Sequence, residues 1–256
     1  MRIIHLILSI LVSATLTMST SYSEETPLKD APPLKIGVAP FNPPFTSQGG
    51  NKELFGFDVS MMQFICKAIQ RQCVFITMPF LNLLPAVKNG EIDIAVSDIT
   101  VTPERAALAN FSLPYLKSDV RFLGRTELST QPFDLALLNK SSIGILQGSA
   151  FRLVLKSVGA TNAKIVEYNI YSSLIEALRD GKINLALIDN PSAMYWQTQT
   201  SNIFKALGTP ISFGYGFAIA VNKQDPKLLE AINRALVLYK QSPEYQRDYD
   251  TYIASF

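Results

Sequence analysis

Three stretches of the sequence have the residue types and spacing to recognise a small charged ligand. In the first, SDITVTPER, Thr102 and Pro103 are typical of a helix N-cap and a first helical position, which would place Arg105 in the first turn. An arginine there opposes the helix dipole, so helix stability does not explain its position. A guanidinium grips a carboxylate through two parallel hydrogen bonds, and the hydroxyls of Ser97 and Thr100 would complete such an anion site.

The second stretch, ILQGSAF, predicts a strand, a glycine-containing loop and a helix that starts near Ser149. Free main-chain amides at a helix start bind anions, so residues 148–150 could close on the same carboxylate. The third feature is a pair of aspartates, Asp98 and Asp189, each at the end of an apolar run that is typical of a buried strand. A carboxylate in that position suits an ammonium group. Together the three features predict a ligand that carries both charges.

Each of these features also has a purely structural interpretation. Arg105 could be solvated, or it could pair with Glu104 or Glu91. Turns of the strand, glycine and helix type are common, and Asp189 could cap the next helix. Aromatic side chains that could wall a ligand are equally typical of an ordinary core: Phe41, Phe45 and Phe80.

Composition narrows the classes of function. The chain of 256 residues has 23 lysines and arginines against 21 acids, a formal charge of +2, and these charges are scattered. The sequence lacks the basic stripe that nucleic-acid binding needs, so we expect no nucleic-acid partner. The single histidine is His5. If the first two dozen residues are removed, a Ser-His-Asp triad, a Cys-His dyad and a histidine metal site are excluded, and we predict no metal and no cofactor.

The N-terminus is typical of a secretory signal peptide at residues 1–23. Arg2 precedes a mostly apolar run over residues 3–18, which small and polar residues follow, with Ser21, Tyr22 and Ser23 as a small-x-small cleavage site. The run is shorter than the roughly 20 apolar residues that a comfortable membrane span needs. Cleavage predicts an exported protein that starts near Glu24, and an uncleaved anchor is the alternative.

Two cysteines, Cys66 and Cys73, lie seven residues apart in FICKAIQRQCVF. On one continuous helix they would be about 10 Å apart, which is too far for a disulfide. A bridge therefore requires the helix to end near residues 70–72 and the chain to double back into a strand at residues 74–78, as the apolar pattern favours. The alternative is two buried free thiols.

The chain also contains a pair of similar segments, an internal repeat. Residues 83–98, LLPAVKNGEIDIAVSD, and residues 174–189, LIEALRDGKINLALID, each predict an amphipathic helix, a glycine stop and a buried strand that ends in aspartate. A weaker repeat relates KIGVAPF, which starts at Lys35, to SIGILQG, which starts at Ser142. These units predict an α/β protein of two lobes with parallel-rich sheets, whose strand ends face a common cleft. One continuous doubly wound sheet is the alternative.

The order of these motifs resembles the periplasmic polar amino-acid-binding proteins of ABC importers, solute-binding protein family 3. The resemblance rests on PPF, GFDVSMMQFICKAI, residues 80–116, GILQGSA, LIDN and YGFAIAVNK, with residues 56–115 as its most specific part. It implies the type II periplasmic-binding-protein fold, in which each lobe is a mixed sheet flanked by helices, with a hinge of two crossover strands. It also implies a periplasmic location in a Gram-negative bacterium. Histidine, lysine/arginine/ornithine and arginine receptors also carry a cysteine pair here, which implies a disulfide between Cys66 and Cys73.

The resemblance also implies roles for individual residues. Arg105 takes the position that clamps the α-carboxylate of a free amino acid, and Asp189 the position that binds its α-ammonium. Ser97, Thr100 and Ser149 match positions that offer further contacts to the ligand. The other residues that we expect around the ligand come from both halves of the chain: Phe41, Asn42, Phe80, Asp98 and Gln147.

Four departures from the family pattern bear on which amino acid is bound. Asn42 stands where tyrosine is common, Ala39 where an acid can recognise a cationic side chain, and Ala150 where a second threonine is usual. Asp98 replaces a typical glycine or serine. If Asp98 faces the cleft, its charge favours a basic ligand such as arginine or lysine, which we expect; if it faces away, a less polar amino acid fits.

We predict a monomeric receptor, not an enzyme, that closes on a free amino acid and delivers it to ABC permease subunits. The first lobe would comprise residues 24–117 and 215–256, and the second residues 118–214, with crossings near residues 116–122 and 213–217. One zwitterion would satisfy both lobes only when they are shut. The main alternative on the same fold is a cyclohexadienyl dehydratase-like enzyme acting on arogenate or prephenate, with Asp98 or Glu53 as an acid. A detached sensor domain is less favoured, because no membrane span or signalling segment follows Phe256.

Overall fold

Two five-stranded sheets organise residues 32–256, the part of the chain that this computed structural model describes. The predicted signal peptide at residues 1–23 lies outside the described residues. The strands are β1 (Leu34–Val38), β2 (Ser47–Gln48), β3 (Leu54–Phe55), β4 (Cys73–Thr77), β5 (Ile94–Ala95), β6 (Asn110–Phe111), β7 (Asp119–Arg125), β8 (Ser142–Leu146), β9 (Lys164–Tyr168), β10 (Leu185–Asp189), β11 (Phe204–Ser212) and β12 (Ala220–Val221).

Helices cover both faces of each sheet. They are α1 (Phe57–Ala68), α2 (Phe80–Asn89), α3 (Pro103–Ala106), α4 (Leu135–Lys140), α5 (Phe151–Ser157), α6 (Tyr171–Arg179), α7 (Asn190–Gln199), α8 (Pro226–Lys240) and α9 (Pro243–Tyr252). Because neighbouring residues of one strand enter different apolar clusters, as Ala186 and Leu187 do, the strands are buried on both faces. No helix within residues 32–256 has both the length and the apolar character that crossing a bilayer requires.

The two sheets have the same internal plan. The first has the order β4-β1-β5-β12-β6 and the second, read from its opposite edge, β9-β8-β10-β7-β11. In each sheet the first three strands are parallel, and the fourth is antiparallel to both of its neighbours. The internal repeat in the sequence thus corresponds to two similar sheets, one in each of two lobes. The predicted α/β fold is confirmed.

The chain crosses between the lobes along two adjacent segments. Residues 116–119 lead from the first sheet into β7, and residues 212–217 return from β11. The main chains of these segments are hydrogen-bonded, with Phe213 N 3.1 Å from Ser118 O and Phe217 N 2.9 Å from Leu116 O. Two short crossovers that pair with each other form the predicted hinge.

The disulfide between Cys66 and Cys73 is confirmed. Helix α1 ends at Ala68, β4 begins at Cys73, and the two Cα atoms lie 5.9 Å apart. Arg71 closes the turn, because its main-chain amide donates to the carbonyl of Cys66 at 2.9 Å. The chain therefore doubles back where the sequence predicts, and the bridge ties α1 to an edge strand of the first sheet.

Candidate functional site

The site is built from the loops that follow the carboxyl ends of parallel strands in both lobes. In the first sheet, Asn42 follows β1 and Asp98 follows β5. In the second sheet, Ser149 follows β8 and Asp189 is the last residue of β10. Open α/β sheets bind ligands at this edge. The matching plans of the two sheets bring these four side chains to opposite walls of one cleft.

Arg105 reaches the cleft from the short helix α3. Thr102 caps this helix by accepting a hydrogen bond from Arg105 N at 3.3 Å, and Pro103 follows as the first helical residue, as predicted. The side chain is only 8% exposed, so the solvated interpretation is wrong. Its guanidinium lies 5.4 Å from the ring centre of Phe80, within the range of a cation–π contact.

The guanidinium of Arg105 also joins the two lobes. Nη1 donates to the carbonyl of Thr100 at 2.7 Å in the first lobe, and Nη2 donates to the carbonyl of Gly148 at 2.9 Å in the second. Gly148 has φ +77°, and a Cβ there would lie 2.8 Å from Cα of Leu81 in the first lobe. Glycine is therefore required for this close approach. A guanidinium has five N–H donors, so three remain for a bound anion.

Asp98 lies on the first-lobe wall and is held from several sides. Both of its carboxylate oxygens accept hydrogen bonds from Nδ2 of Asn42 at 2.8 Å. Its main-chain amide donates to Oδ2 of Asp58 at 2.9 Å, and its φ of 40° is a left-handed conformation that aspartate tolerates. Asp98 is 4% exposed and lines the cleft, which answers the question of its orientation.

Asp189 and Ser149 form the opposite wall, and each has an unused polar atom. Asp189 takes the N-cap position of α7, but its side chain makes no capping hydrogen bond, so the capping interpretation is wrong. Among residues 32–256, no hydrogen-bond partner reaches Oδ1 of Asp189 or Oγ of Ser149, although both atoms are buried. Buried polar atoms normally have a hydrogen-bond partner, so these two atoms indicate a ligand that would form hydrogen bonds with them.

Burial and neighbouring charges shift the pKa values of the ionisable groups at the site. Desolvation, with the neighbouring charge of Asp189, raises the pKa of Asp98 well above its ordinary value. Desolvation also raises the pKa of Asp189 to about 6, although Asp98 and Arg105 act in the opposite direction. The pKa of Asp58 is raised well above its ordinary value by burial and by the charge of Asp98. Burial lowers the pKa of Arg105, while both cleft aspartates act to raise it.

The walls enclose a small cavity of about 20 Å³. Its lining combines the charged groups with apolar side chains: Asn42, Phe80, Asp98, Thr100, Arg105, Leu146, Ser149, Ala150, Phe151, Tyr171 and Asp189. A few polar groups that converge among apolar side chains are typical of a small-molecule site. Seven of the ten expected ligand residues meet here.

A second cavity of about 100 Å³ adjoins the first and shares Phe80, Leu146 and Tyr171 with it. We call it the side chamber. Its other lining residues are mostly apolar: Ala39, Pro40, Phe41, Pro79, Asn169, Ile170 and Ser172. Phe41, one of the ten expected residues, therefore lies in the side chamber and not in the polar cavity.

Two expected residues, Ser97 and Gln147, are not among those that line either cavity. Oγ of Ser97 is fully buried and accepts a hydrogen bond from the main chain of Ala39 at 3.4 Å. Gln147 follows β8, and its main-chain amide donates to the carbonyl of Tyr168 at 2.9 Å. The helix after this loop begins at Phe151, two residues later than expected.

Sequence reasoning missed Asp58, Tyr171 and Ser192. Asp58 is fully buried in the first turn of α1, where an acid is ordinarily explained by the helix dipole. Tyr171 begins α6, and Ser192 lies three residues after Asp189 in α7. Their residue types and local spacing carry no sign of a site. Within residues 32–256, no group of three or more His, Cys, Asp or Glu side chains could hold a metal ion.

Comparison with known proteins gives a consistent picture. The family described as bacterial extracellular solute-binding proteins, family 3, matches residues 34–255. "ABC transporter arginine-binding protein 1" of Escherichia coli is 28% identical over 84% of this chain and 88% of its own length. The histidine-binding periplasmic protein of Salmonella typhimurium is 27% identical over 94% of this chain and 98% of its own.

A solved structure shows the same likeness. The crystal structure of an arginine 3rd transport system periplasmic binding protein from Legionella pneumophila is 30% identical, with a TM-score of 0.80. The similarity covers 87% of this chain and 100% of that protein. The likeness therefore includes both sheets and the crossovers between them.

Proposed function

The chain belongs to family 3 of the bacterial extracellular solute-binding proteins, and from that premise we propose that it is a periplasmic receptor for one free L-amino acid. It encloses the amino acid between its lobes and delivers it to the permease subunits of an ABC importer. The main support for the proposal is that one wall presents a buried guanidinium and the other presents a buried carboxylate oxygen that has no hydrogen-bond partner within residues 32–256. These two groups complement the charges of an amino-acid zwitterion.

In this proposal Arg105 binds the α-carboxylate through its free N–H donors. Asp189 binds the α-ammonium, because a charge-assisted hydrogen bond to Oδ1 would satisfy an atom that the protein leaves unpaired. Oγ of Ser149, which is also buried and unpaired, donates to the carboxylate. Each contact removes a polar group from an unfavourable buried state, so the ligand favours the closed arrangement.

The side chain of the amino acid is basic, as in arginine or lysine. Two carboxyls, Asp98 and Asp189, face one guanidinium across the polar cavity, and a cationic side chain of the ligand would favour the ionised form of Asp98. The side chamber offers apolar walls for the methylene groups of a long side chain, and its exposed Asn169 leaves the charged end near water. The arginine and histidine relatives support this choice.

Lobe closure provides the mechanism. We assign residues 32–117 and 215–256 to the first lobe and residues 118–214 to the second, with one copy of the chain as the working unit. Residues 24–31 of the predicted first lobe lie outside the described residues. Arg105 and Asp189 then belong to different lobes, and a ligand that binds both shifts the hinge equilibrium toward the closed form. The closed form is the one that the permease would recognise.

A dehydratase-like enzyme is not favoured. The relatives described above are named as binding proteins. Glu53, one of the two acids considered for such chemistry, is exposed and bonded to Asn51 at a distance from the cleft lining. Asp98 does line the cleft, where Nδ2 of Asn42 donates to both of its oxygens.

A ligand screen followed by calorimetry tests the proposal. A thermal-shift screen against the twenty amino acids, ornithine and citrulline should find a ligand, because binding to the folded state raises the melting temperature. Arg105→Ala should then weaken binding of that ligand by about 2 to 5 kcal/mol, since a desolvated carboxylate loses its partner. Arg152→Ala is the matched control, because Arg152 is an exposed second-lobe arginine paired with Glu167. Near-normal binding by Arg105→Ala would refute the assignment.

A further inference from the structure

A chain of buried hydrogen bonds crosses from the second lobe to the first beside the polar cavity. Oγ of Ser192 donates to Oδ1 of Asn42 at 3.3 Å, and Nδ2 of Asn42 donates to both oxygens of Asp98 at 2.8 Å. The three side chains are 0%, 3% and 4% exposed, respectively. Every polar atom of the Asn42 amide is therefore engaged by protein, although the residue lines the cavity.

We propose that this chain, Ser192–Asn42–Asp98, is a latch that holds the lobes shut and fixes the carboxylate of Asp98. Asn42 is then a positioning residue, whose amide acts through Asp98 and Ser192 and not on the ligand. Ser192 is the second-lobe half of the latch. This proposal rests on the proposed function, because the latch would close and orient the amino-acid site.

The bond between Ser192 and Asn42 exists only when the lobes meet. Ser192 belongs to α7, which packs on the second sheet, and Asn42 lies in the loop that follows β1 of the first sheet. When the lobes separate, water replaces each partner, so the net gain from one such bond is modest. A modest gain suits a latch, which must also open to admit and release the ligand.

The same loop carries an apolar contact that closes with the latch. Phe41 makes edge contacts with Tyr171 and Trp196 of the second lobe, at ring-centre distances of 6.4 and 6.2 Å. Trp196 is the single tryptophan of the chain. Its fluorescence therefore reports the approach of the loop that holds Asn42, without a label.

Fixing Asp98 matters because its surroundings are charged. Asp58 lies behind it, Asp189 faces it across the cleft, and Arg105 is the nearby cation. Without the amide of Asn42, the Asp98 carboxylate could rotate toward Arg105 and occupy donors that the ligand carboxylate needs. The amide keeps the two oxygens on the side of the first-lobe wall.

The test removes the latch one bond at a time. Of the three bonds in the latch, Ser192→Ala deletes the one between the lobes, whereas Asn42→Ala deletes that bond and both bonds to Asp98. Ser141→Ala is the matched control, because it removes a buried serine hydroxyl that bonds to Leu137 within the second lobe. Ser192→Thr retains a hydroxyl and should restore wild-type behaviour if the hydroxyl is what matters.

Stopped-flow fluorescence of Trp196 measures ligand release, and X-ray scattering measures closure of the ligand-free protein. We expect Ser192→Ala to release ligand about two- to tenfold faster with an unchanged association rate, and to shift the ligand-free protein toward the open form by a similar factor. Asn42→Ala should have the larger effect. Ser141→Ala should lower the melting temperature and change neither reading.

Equal release rates and equal scattering for Ser192→Ala and the wild type would overturn the latch. A change of the same size in Ser141→Ala would also overturn it, because the effect would then be general destabilisation. If the wild type binds no amino acid, the proposed function fails, whereas the scattering of the ligand-free variants still decides whether the latch closes the lobes.

Discussion

The two walls of the cleft differ in how far the protein completes its own hydrogen bonds. On the first-lobe wall, Asn42, Asp98 and Arg105 all bond to protein groups. On the second-lobe wall, Oδ1 of Asp189 and Oγ of Ser149 are buried without a partner in the described residues. The first wall is thus prepared in advance, and the second is completed by whatever enters the cleft.

The difference indicates where ligand affinity comes from. A buried polar atom without a partner costs about 1 to 3 kcal/mol, which a ligand recovers when it supplies the missing bond. The prepared wall contributes in another way, because groups that are already held in place need little ordering on binding. Changes on the second wall should therefore remove contacts, and changes on the first should disturb orientation and closure.

The largest expected effect comes from Asp189, whose Oδ1 has no partner among the described residues. Asp189→Asn should weaken binding by about 2 to 4 kcal/mol in calorimetry, because the ligand ammonium then faces a neutral amide. Asp180→Asn is the matched control, since Asp180 is a second-lobe aspartate that pairs with Arg179 and Lys182 at the surface. Affinity within a factor of about two of the wild type for Asp189→Asn would contradict the account of the second wall.

A smaller effect should follow from blocking the approach of the two walls. Gly148→Ala places a Cβ 2.8 Å from Cα of Leu81 and strains a φ of +77°, so closure and affinity should fall by about 1 to 3 kcal/mol. Gly159→Ala strains a φ of +82° in the same lobe, but its nearest neighbour is a flexible side-chain atom of Leu135 at 3.5 Å. Equal affinities in the two variants would mean that the contact between Gly148 and Leu81 does not limit closure.

The acidity of the cleft predicts that binding weakens at low pH. The ligand ammonium needs an ionised Asp189, whose pKa is raised to about 6, so protons compete as the pH falls through that value. Affinity should be full above pH 7 and lower by about tenfold at pH 5, where about a tenth of the group is ionised. Titrations from pH 5 to 8 measure this slope, which should be shallower in Asp189→Asn. A flat wild-type profile would contradict an ionised carboxylate as the ammonium partner.

The smallest effect on binding is expected from the disulfide, which lies in the first lobe away from the cleft lining. Reducing it should lower the free energy of unfolding by about 2.5 kcal/mol, because a short loop is no longer closed in the unfolded chain. Ligand affinity should change less than about twofold. Denaturant unfolding with and without reductant measures the first quantity, and Cys66→Ser/Cys73→Ser, which is insensitive to reductant, is the control.

Local signals in the sequence predicted the elements that position the site. The Thr102 cap and Pro103 identify α3, which carries Arg105, and the glycines at positions 90 and 181 mark where α2 and α6 end. Asp189 ends β10 as predicted, whereas β5 ends at Ala95 and Asp98 lies three residues beyond it. The repeated helix and strand pattern predicted two similar sheets. These features depend on neighbours within one turn or one strand, which a sequence displays directly.

Contacts between distant parts of the chain could not be predicted in this way. Asn42 meets Asp98 over a separation of 56 residues and Ser192 over a separation of 150. Ser97 and Gln147 have the types and positions expected of ligand contacts, yet neither lines the cavity, because their bonds go to neighbouring segments of the sheets. Which side chains turn into a cleft depends on register and packing across two lobes.

A crystal structure of the wild-type protein with the amino acid found in the thermal screen would show whether one zwitterion joins the two walls. We expect the α-carboxylate on the guanidinium of Arg105 and the α-ammonium within hydrogen-bond distance of Oδ1 of Asp189, with the lobes shut around both. A ligand bound elsewhere, or one that leaves either of these two groups without a contact, would contradict this expectation.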